Sequence, residues 1–337
     1  MKKRYPVIIM VILLTGAVLV MANLRKKIPV SGPAPTRPEY VLVIHGGAGN
    51  ITRESLPDSM AAEYYRELQT ALVVGHRILD TGGTALDAVE AVVRFLEDCP
   101  LFNAGKGAVF TAEGKNELDA SIMDGATGLA GAVAGVTTIK NPVSAARAVM
   151  EKSLHVMLAG RGAEAFARQM GLEMVAPEYF STPDRYQSWK EAREKMDKKG
   201  TVGAVALDKK GNLAAATSTG GMMMKQWGRI GDSPVIGAGT FASNRTCAVS
   251  CTGHGEYFIR NAVAYDLSAR MQYAGTPLRK GAHEILHVKL KEQGGTGGLI
   301  AIDKNGNFVM DFNTTGMFRG YLLPSGETKV MIFGDEK

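Results

Sequence analysis

The sequence predicts an α+β fold in which strands open and close the chain and helices lie between them. Residues 40–44 form a continuous apolar run that ends in glycines, which is typical of a buried strand. Two strand–turn–strand patterns occur in the second half, and segments of helical periodicity separate them from the first strand. Strands grouped in this way favour a layered α+β arrangement over a doubly wound parallel sheet.

The best-signalled helix begins after Gly82 and Gly83. Thr84, with Asp87 three residues on, resembles a capping box, and Pro100 marks the end of the helix. Its apolar side chains fall on one face at helical spacing: Leu86, Val89, Val93 and Leu96. Short strands are predicted at 107–111, 117–123 and 129–138, and helices at 143–154, 159–170 and 255–275.

The N-terminal 38 residues differ in charge from the rest of the chain. They hold seven of the 39 lysines and arginines and none of the 33 acidic residues, which leaves 32 basic and 33 acidic residues in the body. A nearly neutral body lacks the basic surface that nucleic-acid binding requires. We therefore expect no nucleic-acid partner.

The same N-terminal segment indicates export. An apolar run of 16 residues from Val7 to Ala22 follows a basic start, which predicts a signal peptide cleaved after Ala22. The run is shorter than the ~20 residues of a membrane span, but flanking basic side chains could extend it, so a retained membrane anchor stays open. Residues 23–38 then form a Pro-rich tether. Both alternatives place residues 39–337, predicted to form a single domain, in the periplasm or on the outer side of a membrane.

The three cysteines, Cys99, Cys247 and Cys251, show no metal-binding spacing. They are predicted to be buried and free, as small apolar side chains. A single disulfide between any two of them stays open in an oxidising compartment.

A polar, lysine-rich stretch precedes a strongly patterned hairpin. Residues 176–200 predict an exposed connector, and residues 201–207 and 213–219 predict two strands around a turn that contains Gly211. If the turn centres on Lys210, paired residue numbers sum to 420, so Thr201 faces Thr219 with Cβ atoms ~4.5–5.5 Å apart. A second hairpin of this kind joins 299–302 to 308–310.

Two facing threonines after a connector suggest a specific chemistry. A threonine hydroxyl is a weak nucleophile unless a base takes its proton. Cleavage between Gly200 and Thr201 would give Thr201 a free α-amine of pKa ~7.7–8.0, so that one residue supplies both nucleophile and base. The alternative is that Thr201 only begins a strand, where threonine is common.

Several motifs, in order along the chain, resemble the plant-type asparaginase/isoaspartyl peptidase family of N-terminal-nucleophile (Ntn) hydrolases. The similarity runs from about residue 40 to about residue 320, and its motifs are residues 45–49, 100–105, 200–208, 211–221, 228–234 and 250–253. The resemblance implies a four-layer αββα sandwich. It also implies cleavage between Gly200 and Thr201 into an α subunit ending at 200 and a β subunit of residues 201–337, with two such αβ units forming a dimer.

The resemblance also implies roles for individual residues. Thr201 would be the nucleophile and Thr219 its assistant, and Asn103 lies in the family's loop near the nucleophile. Thr252 and the backbone amide of Gly253 match the oxyanion hole. The matches to the family's substrate-binding positions, which include these two residues, are Arg229, Ile230, Gly231, Asp232, Thr252, Gly253, His254 and Gly255.

Arg229 and Asp232 would hold the substrate's free amino-acid end. A guanidinium can clasp the α-carboxylate while a carboxylate faces the α-ammonium, which presents the side-chain amide to Thr201. The alternative is that Arg229 and Asp232 form an incidental surface salt bridge.

The segment from Leu96 to Lys106, at the end of the helix that begins after Gly83, resembles the family's alkali-cation site. The matching ligands are the backbone carbonyls of Leu96, Glu97, Cys99, Phe102, Ala104 and Lys106. Carbonyl oxygens suit a hard monovalent ion, so we expect a structural Na⁺ and no cofactor for catalysis.

The predicted activity is hydrolysis of β-aspartyl amides, namely L-asparagine, β-aspartyl (isoaspartyl) dipeptides or both. Two alternatives stay open: a glycosylasparaginase-type hydrolase, and an uncleaved relative that binds amino acids. The chain departs from the family pattern at His254 and in the apolar loop 222–227, which bears on substrate preference more than on the reaction.

Overall fold

The structure, a computed structural model, describes residues 37–192 and 200–336. The predicted signal or anchor (1–22) and all but the end of the predicted tether (23–38) lie outside the described residues. From Pro38 onward the chain forms one compact unit.

Twelve strands are assigned in the described residues. They are β1 (Val41–Gly49), β2 (Leu118–Asp124), β3 (Ala130–Val136), β4 (Met157–Ala159), β5 (Val202–Leu207), β6 (Leu213–Thr219), β7 (Thr240–Ala242), β8 (Cys247–Gly253), β9 (Gly297–Asp303), β10 (Phe308–Phe312), β11 (Gly316–Leu322) and β12 (Thr328–Phe333). The larger sheet has the order β12-β11-β1-β5-β6-β2-β3-β4, and the smaller has the order β10-β9-β8-β7. Every pair is antiparallel except β3 with β4.

The helices fall into two groups. The first group is α1 (Asp58–Asp80), α2 (Ala85–Asp98), α3 (Pro142–Lys152), α4 (Gly160–Gln169) and α5 (Pro183–Ala192). The second is α6 (Gly255–Asn261), α7 (Val263–Ala274), α8 (Leu278–His283) and a π-helix (Glu284–Leu290). Helices α1–α4 pack on the larger sheet, whereas α6–α8 and the π-helix pack on the smaller one.

Three apolar clusters explain this arrangement. One lies between α1–α4 and the larger sheet, one between the smaller sheet and its helices, and one between the two sheets. Because successive side chains of a strand point to opposite faces, Ala204 and Ala206 of β5 face the helices while Val205 and Leu207 face the smaller sheet. The fold is therefore mixed α/β, with the two sheets face to face.

The hairpin of β5 and β6 has the predicted register. Val202 pairs with Ser218 and Leu207 with Leu213, so the numbers of each pair sum to 420 as expected. Helix α2 also begins as predicted, since the Thr84 hydroxyl accepts a hydrogen bond from the Asp87 amide at 3.0 Å. The second hairpin, β9 with β10, is present too.

Several predicted elements are wrong. Residues 107–111 form no strand, because side chains and loop backbone rather than a neighbouring strand bind this segment. Asn103 accepts from the Val109 amide, Asn116 donates to the carbonyls of Ala108 and Val109, and the Met224 amide donates to the Phe110 carbonyl. The predicted single helix 255–275 is two helices, since Ala262 adopts a left-handed φ of 46° that ends α6.

The predicted exposed connector is structured over most of its length. Within residues 176–192, Phe180 is fully buried. Arg185 of α5 donates to the carbonyls of Leu101 and Gly107, both at 2.8 Å, and Trp189 donates to the Thr111 carbonyl at 2.9 Å. These contacts hold α5 against the loop after α2. Residues 193–199 lie outside the described residues.

The cysteines Cys99, Cys247 and Cys251 are buried and free, as predicted, rather than joined by a disulfide. Cys247 and Cys251 belong to the apolar cluster beneath the helices of the smaller sheet.

Candidate active site

Thr201 and Thr219 meet at the open end of the central hairpin. Both side chains are buried, and the Thr201 hydroxyl donates to the Thr219 hydroxyl at 3.2 Å. Both residues continue the odd-numbered series of their strands, which faces the smaller sheet. The hairpin thus places the two hydroxyls between the sheets, at the end where the connector enters.

The carbonyl of Gly200, directly before Thr201, is held by two donors. Asn103 Nδ2 donates to it at 2.6 Å and the Thr219 hydroxyl at 3.0 Å. A hydroxyl has one proton to donate, so Thr219 gives its proton to Gly200 and accepts that of Thr201. The peptide bond before the candidate nucleophile is therefore polarised at its oxygen, beside the hydroxyl that would attack its carbon.

Asn103 is fixed for this task by its other contacts. Its Oδ1 accepts from the Val109 amide at 2.9 Å, and its Nδ2 also donates to the Gly221 carbonyl at 2.8 Å. Gly220 leaves room for it, since a Cβ there would lie 2.6 Å from Asn103 Oδ1. The amide group consequently points its NH₂ at Gly200.

Strand β1 brings Thr252 to the same place. Gly47 has a φ of +113°, and a Cβ on it would lie 3.1 Å from Gly200 Cα and 3.2 Å from the Thr201 nitrogen. The next residue, Ala48, donates its amide to the Thr252 hydroxyl at 3.3 Å. Gly253 has a φ of +145° and lies against Gly297, so no side chain fits there. Thr252 thus contacts the residue that follows Gly47, the glycine that packs against the Gly200–Thr201 junction.

His45 anchors the main chain of Thr201. Its Nδ1 lies 3.1 Å from the Thr201 carbonyl oxygen and its Nε2 lies 2.8 Å from the Ser250 hydroxyl. Because a carbonyl can only accept, Nδ1 carries the hydrogen and Nε2 accepts from Ser250. Complete burial lowers the pKa of His45 to about 3, against the raising effect of the hydrogen bond to Thr201. The ring is therefore neutral at ordinary pH.

A chain of buried hydroxyls continues from His45 between the sheets toward the loop that carries Asp232. Neighbouring oxygens lie 2.6–2.8 Å apart, and the chain ends on the carbonyl next to Asp232. In order, its members are Ser250, Thr217, Thr240, Ser121 and the Ser233 carbonyl. Sequence reasoning missed this network, because its members come from five separate strands and loops.

The depressed pKa of His45 predicts acid sensitivity. In the unfolded chain the imidazole titrates near pH 6.5, whereas in the folded protein it binds a proton only near pH 3. Stability is thus fully present above pH 6.5 and is lost as the pH falls toward 3, at roughly 1 kcal/mol per pH unit.

The variant His45→Asn keeps a donor for the Thr201 carbonyl but cannot be protonated in this range. Between pH 7 and pH 5, we expect its free energy of unfolding to fall by roughly 2 kcal/mol less than that of the wild type. Urea unfolding at both pH values measures this difference. The exposed His155 provides the control variant, His155→Asn, which is expected to keep the wild-type pH dependence. Equal losses in His45→Asn and wild type would contradict the prediction.

Arg229 and Asp232 lie close together but do not form the salt bridge weighed above. Arg229 instead forms a two-pronged ion pair with Glu256, at 2.9 and 3.0 Å. Gly255 separates the predicted pair, since a Cβ on it would lie 2.8 Å from Asp232 Oδ1 and 2.9 Å from Arg229 Nη2. A glycine at this position thus leaves a space between a cationic and an anionic group.

Asp232 is a buried carboxyl group with one oxygen, Oδ2, that lacks a hydrogen-bond donor in the described part of the chain. Burial raises its pKa to about 7, with Arg229 opposing the rise and Glu256 and Asp119 adding to it. A ligand ammonium beside Asp232 would stabilise the ionised carboxylate.

Glu256 and Asp119 lie beside the predicted substrate-binding residues Arg229 and Asp232, and sequence reasoning missed both. Although partial burial acts the other way, hydrogen bonds from Arg229 lower the pKa of Glu256. Asp119 pairs with Thr219 in the sheet, and burial raises its pKa. For Glu256 a signal was available, because it directly follows Gly255 in the predicted substrate loop. For Asp119 the signal would have been the pairing of β2 with β6.

The remaining predicted substrate-binding residues are more peripheral. Ile230 is partly exposed, and His254 lies with its ring centroid 5.3 Å from that of Tyr257. A Cβ on Gly231 would lie 2.8 Å from Arg229 Nη1, so this glycine also makes room for the guanidinium. In the apolar loop, Met223 is buried beside Val109 and Phe110, whereas Trp227 is almost fully exposed.

The predicted cation loop has carbonyls that crowd two glycines. Gly105, with a φ of +49°, lies against the Glu97 carbonyl, and Gly107 lies against the Phe102 carbonyl, so a Cβ at either glycine would clash. The Glu97 side chain turns elsewhere and accepts from Ser218 at 2.6 Å and the Val143 amide at 3.0 Å. Backbone oxygens, rather than the Glu97 carboxylate, are therefore the atoms that this loop offers to a cation.

The comparisons with known proteins identify the protein as a hydrolase. The family model described as Asparaginase matches residues 38–332. The isoaspartyl peptidase of Escherichia coli K12 is 52% identical over 295 residues, covering 83% of this chain and 92% of that protein. The isoaspartyl peptidase/L-asparaginase of Rattus norvegicus is 44% identical, with 87% and 89% covered. The plant-type L-asparaginase of Pyrococcus horikoshii is 41% identical, with 83% and 95% covered. The chain belongs to the asparaginase family.

The predicted export is wrong. The relatives to which the chain is similar are isoaspartyl peptidases and asparaginases, and the match with them gives no support for a periplasmic or membrane-anchored protein. Among residues 37–192 and 200–336, no helix is long and apolar enough to cross a bilayer. The expectation rested on a basic and apolar composition near the start of the chain, which does not by itself distinguish an export signal.

Proposed function

We propose that this protein hydrolyses β-aspartyl amide bonds, in isoaspartyl dipeptides and in L-asparagine, with Thr201 as the nucleophile. The observation that carries the proposal is the Gly200–Thr201 junction. There a buried hydroxyl sits beside a carbonyl oxygen that accepts two hydrogen bonds. The names of the relatives, isoaspartyl peptidase and L-asparaginase, support the choice of substrate.

In the first stage, the chain cuts itself. The Thr201 oxygen attacks the Gly200 carbonyl carbon as its proton passes to Thr219, which gives its own proton to the developing Gly200 oxyanion, while Asn103 donates a hydrogen bond to the same oxygen. The C–N bond breaks to leave an ester between Gly200 and Thr201, with the α-amine of Thr201 taking the proton. Water then hydrolyses the ester, which gives a Gly200 carboxylate and a free Thr201 hydroxyl.

In the second stage, the freed α-amine of Thr201 takes the proton from its own hydroxyl, which attacks the β-amide of the substrate. Thr252 and the Gly253 amide are proposed to stabilise this oxyanion, each lowering the barrier by roughly 3–4 kcal/mol. The amine or ammonia leaves with the proton, and water resolves the acyl-enzyme to aspartate.

The substrate's α-carboxylate and α-ammonium are proposed to bind on either side of Gly255. Arg229 would bind the carboxylate, either while it keeps its ion pair with Glu256 or in place of that pair. Asp232 would bind the ammonium. Ile230, Gly231, His254 and Gly255 would form the surrounding wall. This pairing selects a free amino acid end, so an isoaspartyl bond inside a longer chain with a blocked amine would not be a substrate.

Activity on three substrates tests the proposal. The purified, cleaved protein should release aspartate from β-Asp-Leu and from L-asparagine, and both reactions should be lost in Thr201→Ala. A glycosyl-asparagine hydrolysed faster than either would favour the glycosylasparaginase alternative. No hydrolysis of the three by cleaved protein would refute the proposed function.

The raised pKa of Asp232 predicts how product binding depends on pH. Only the ionised carboxylate attracts an ammonium, so the affinity for L-aspartate should fall about tenfold for each pH unit below about 7, the pKa of Asp232. Calorimetric titration of the Thr201→Ala variant with L-aspartate from pH 5 to pH 8 measures this without turnover or a free α-amine. Asp232→Asn should bind weakly at every pH in this range. An affinity of Thr201→Ala that does not change with pH, or undiminished binding when Asp232→Asn is added to it, would contradict the role of Asp232.

Three broader features belong to the same proposal. The two facing sheets with helices outside them support a four-layer αββα sandwich of the Ntn-hydrolase type. The carbonyls of Leu96, Glu97, Cys99, Phe102, Ala104 and Lys106 would hold a structural Na⁺, which neutralises their converging dipoles and needs no part in the reaction. The assembly would be a dimer of αβ units, for which gel filtration with light scattering is the direct measurement.

A further inference from the structure

Away from the active site, three side chains of the types that ligate metals lie together beside the smaller sheet. His283 ends α8, His287 lies in the π-helix that follows, and Asp311 lies on β10. The two imidazole nitrogens and the carboxylate oxygen that they offer all lie within 4.8 Å of one another. None of the three contributes to the reaction proposed above.

The local structure brings both imidazoles against the Asp311 carboxylate. His287 Nε2 lies 2.9 Å from Asp311 Oδ1, and His283 Nδ1 lies 3.7 Å from Asp311 Oδ2. The two imidazoles stack with centroids 4.3 Å apart and 22° between their planes. The carboxylate is held in place by the Phe312 amide, which donates to Oδ1 at 2.9 Å. Strand, helix and carboxylate are thus arranged before any ligand arrives.

The helix itself is unusual at this point. π-helical segments are rare and occur often at functional sites, and the one here spans the seven residues Glu284–Leu290. It places His287 four residues after His283 on the face that packs against β10. The π-helix is therefore a second observation, independent of the contacts with Asp311, that indicates a functional site here.

We propose that His283, His287 and Asp311 form a binding site for a first-row transition-metal cation, with Zn²⁺ as the representative ion. Two imidazoles and one carboxylate suit zinc, nickel and copper rather than magnesium or calcium. Metal–ligand bonds of ~2.0–2.2 Å place neighbouring ligand atoms of a tetrahedral site about 3.3 Å apart. The separations of 2.9 Å to Asp311 Oδ1 and 3.7 Å to Asp311 Oδ2 lie on either side of this value, and all three ligand atoms lie within 4.8 Å of one another, so side-chain rotations would bring them onto one ion.

The site joins the C-terminal helices to the sheet that carries Thr252. Asp311 pairs with Leu299 on β9, and Leu299 pairs with Cys251 on β8, the residue before Thr252. Two strand spacings of ~4.8 Å therefore separate the metal ligand from the strand of the proposed oxyanion hole. The cation stabilises this region without touching substrate, and a fourth coordination position faces solvent, since His283 is largely exposed.

Metal binding is measured directly on the purified protein, free of any histidine tag and treated with a chelator that is then removed. Titration with ZnCl₂ at pH 7.5, followed by calorimetry, should show one saturable ion per chain, and Zn²⁺ should raise the melting temperature. Mg²⁺ should produce neither effect. His287→Ala and Asp311→Asn should each weaken Zn²⁺ binding at least about tenfold.

His155→Ala provides the matched control, because His155 is an exposed histidine outside the cluster. It should bind Zn²⁺ as the wild type does. Asp311→Asn is nearly isosteric, and its melting temperature without metal shows whether the fold is kept. Absence of saturable Zn²⁺ binding by the wild type, or undiminished binding by a folded Asp311→Asn and by His287→Ala, would overturn the proposal. Hydrolytic activity is not the readout, so failure here leaves the proposed function untouched.

Discussion

Thr201→Ala is expected to remain a single uncut polypeptide and to lose hydrolysis by a factor on the order of 10⁶, the cost of deleting a nucleophile in other hydrolases. The physical reason is that one hydroxyl serves both stages. Without it the Gly200 carbonyl, though polarised by Asn103 and Thr219, has no attacking atom, and no free α-amine is produced. Denaturing electrophoresis with N-terminal sequencing measures the first effect, and release of aspartate from β-Asp-Leu the second.

Thr201→Ser is the informative control. It keeps the hydroxyl and, after cleavage, the α-amine, so we expect it to be cut and to retain activity. Both changes remove side-chain atoms from a buried position, so we expect destabilisation of roughly 1–2 kcal/mol and a folded protein in both cases, which their melting temperatures check. Two fragments ending and starting at positions 200 and 201 in Thr201→Ala, or full activity of an uncut chain, would exclude Thr201 as the nucleophile.

The part of this site that sequence predicts best is the hairpin. The register of β5 and β6 is set locally, by a short turn with Gly211 at a left-handed position, so the pairing of Thr201 with Thr219 follows from arithmetic. The capped start of α2 is local in the same sense. Family resemblance then supplies Arg229 and Asp232, which the structure places on either side of Gly255, and Thr252, which accepts a hydrogen bond from the Ala48 amide.

What sequence misses is decided by contacts between distant segments. The stretch 107–111 has strand-like composition, but Asn103 and Asn116 take its backbone hydrogen bonds. Arg229 has its partner in Glu256, 27 residues away, rather than in nearby Asp232. His45 reaches the Thr201 carbonyl across 156 residues. No periodicity or spacing encodes such contacts, since each depends on which strands lie side by side.

Asn103→Ala and Thr219→Val are expected to slow self-cleavage by roughly 10²–10³-fold each, the usual effect of losing one oxyanion donor. Both residues donate to the Gly200 carbonyl, at 2.6 and 3.0 Å, so each removal leaves one donor where charge develops. Thr219→Val should be affected at least as strongly, because it also removes the acceptor of the Thr201 proton. The measurement is the rate of conversion of freshly purified precursor to two fragments.

Two neighbours separate this effect from a general loss of structure. Asn116 is buried and donates to the Ala108 and Val109 carbonyls in the same loop as Asn103, but makes no contact with Gly200. Thr217 lies on the same strand and face as Thr219, and its hydroxyl bonds Ser250 at 2.7 Å. Asn116→Ala and Thr217→Val should therefore lose stability but process near the wild-type rate at a temperature where they are folded. If they process as slowly as Asn103→Ala and Thr219→Val, the two donors act through packing and not through the oxygen of Gly200.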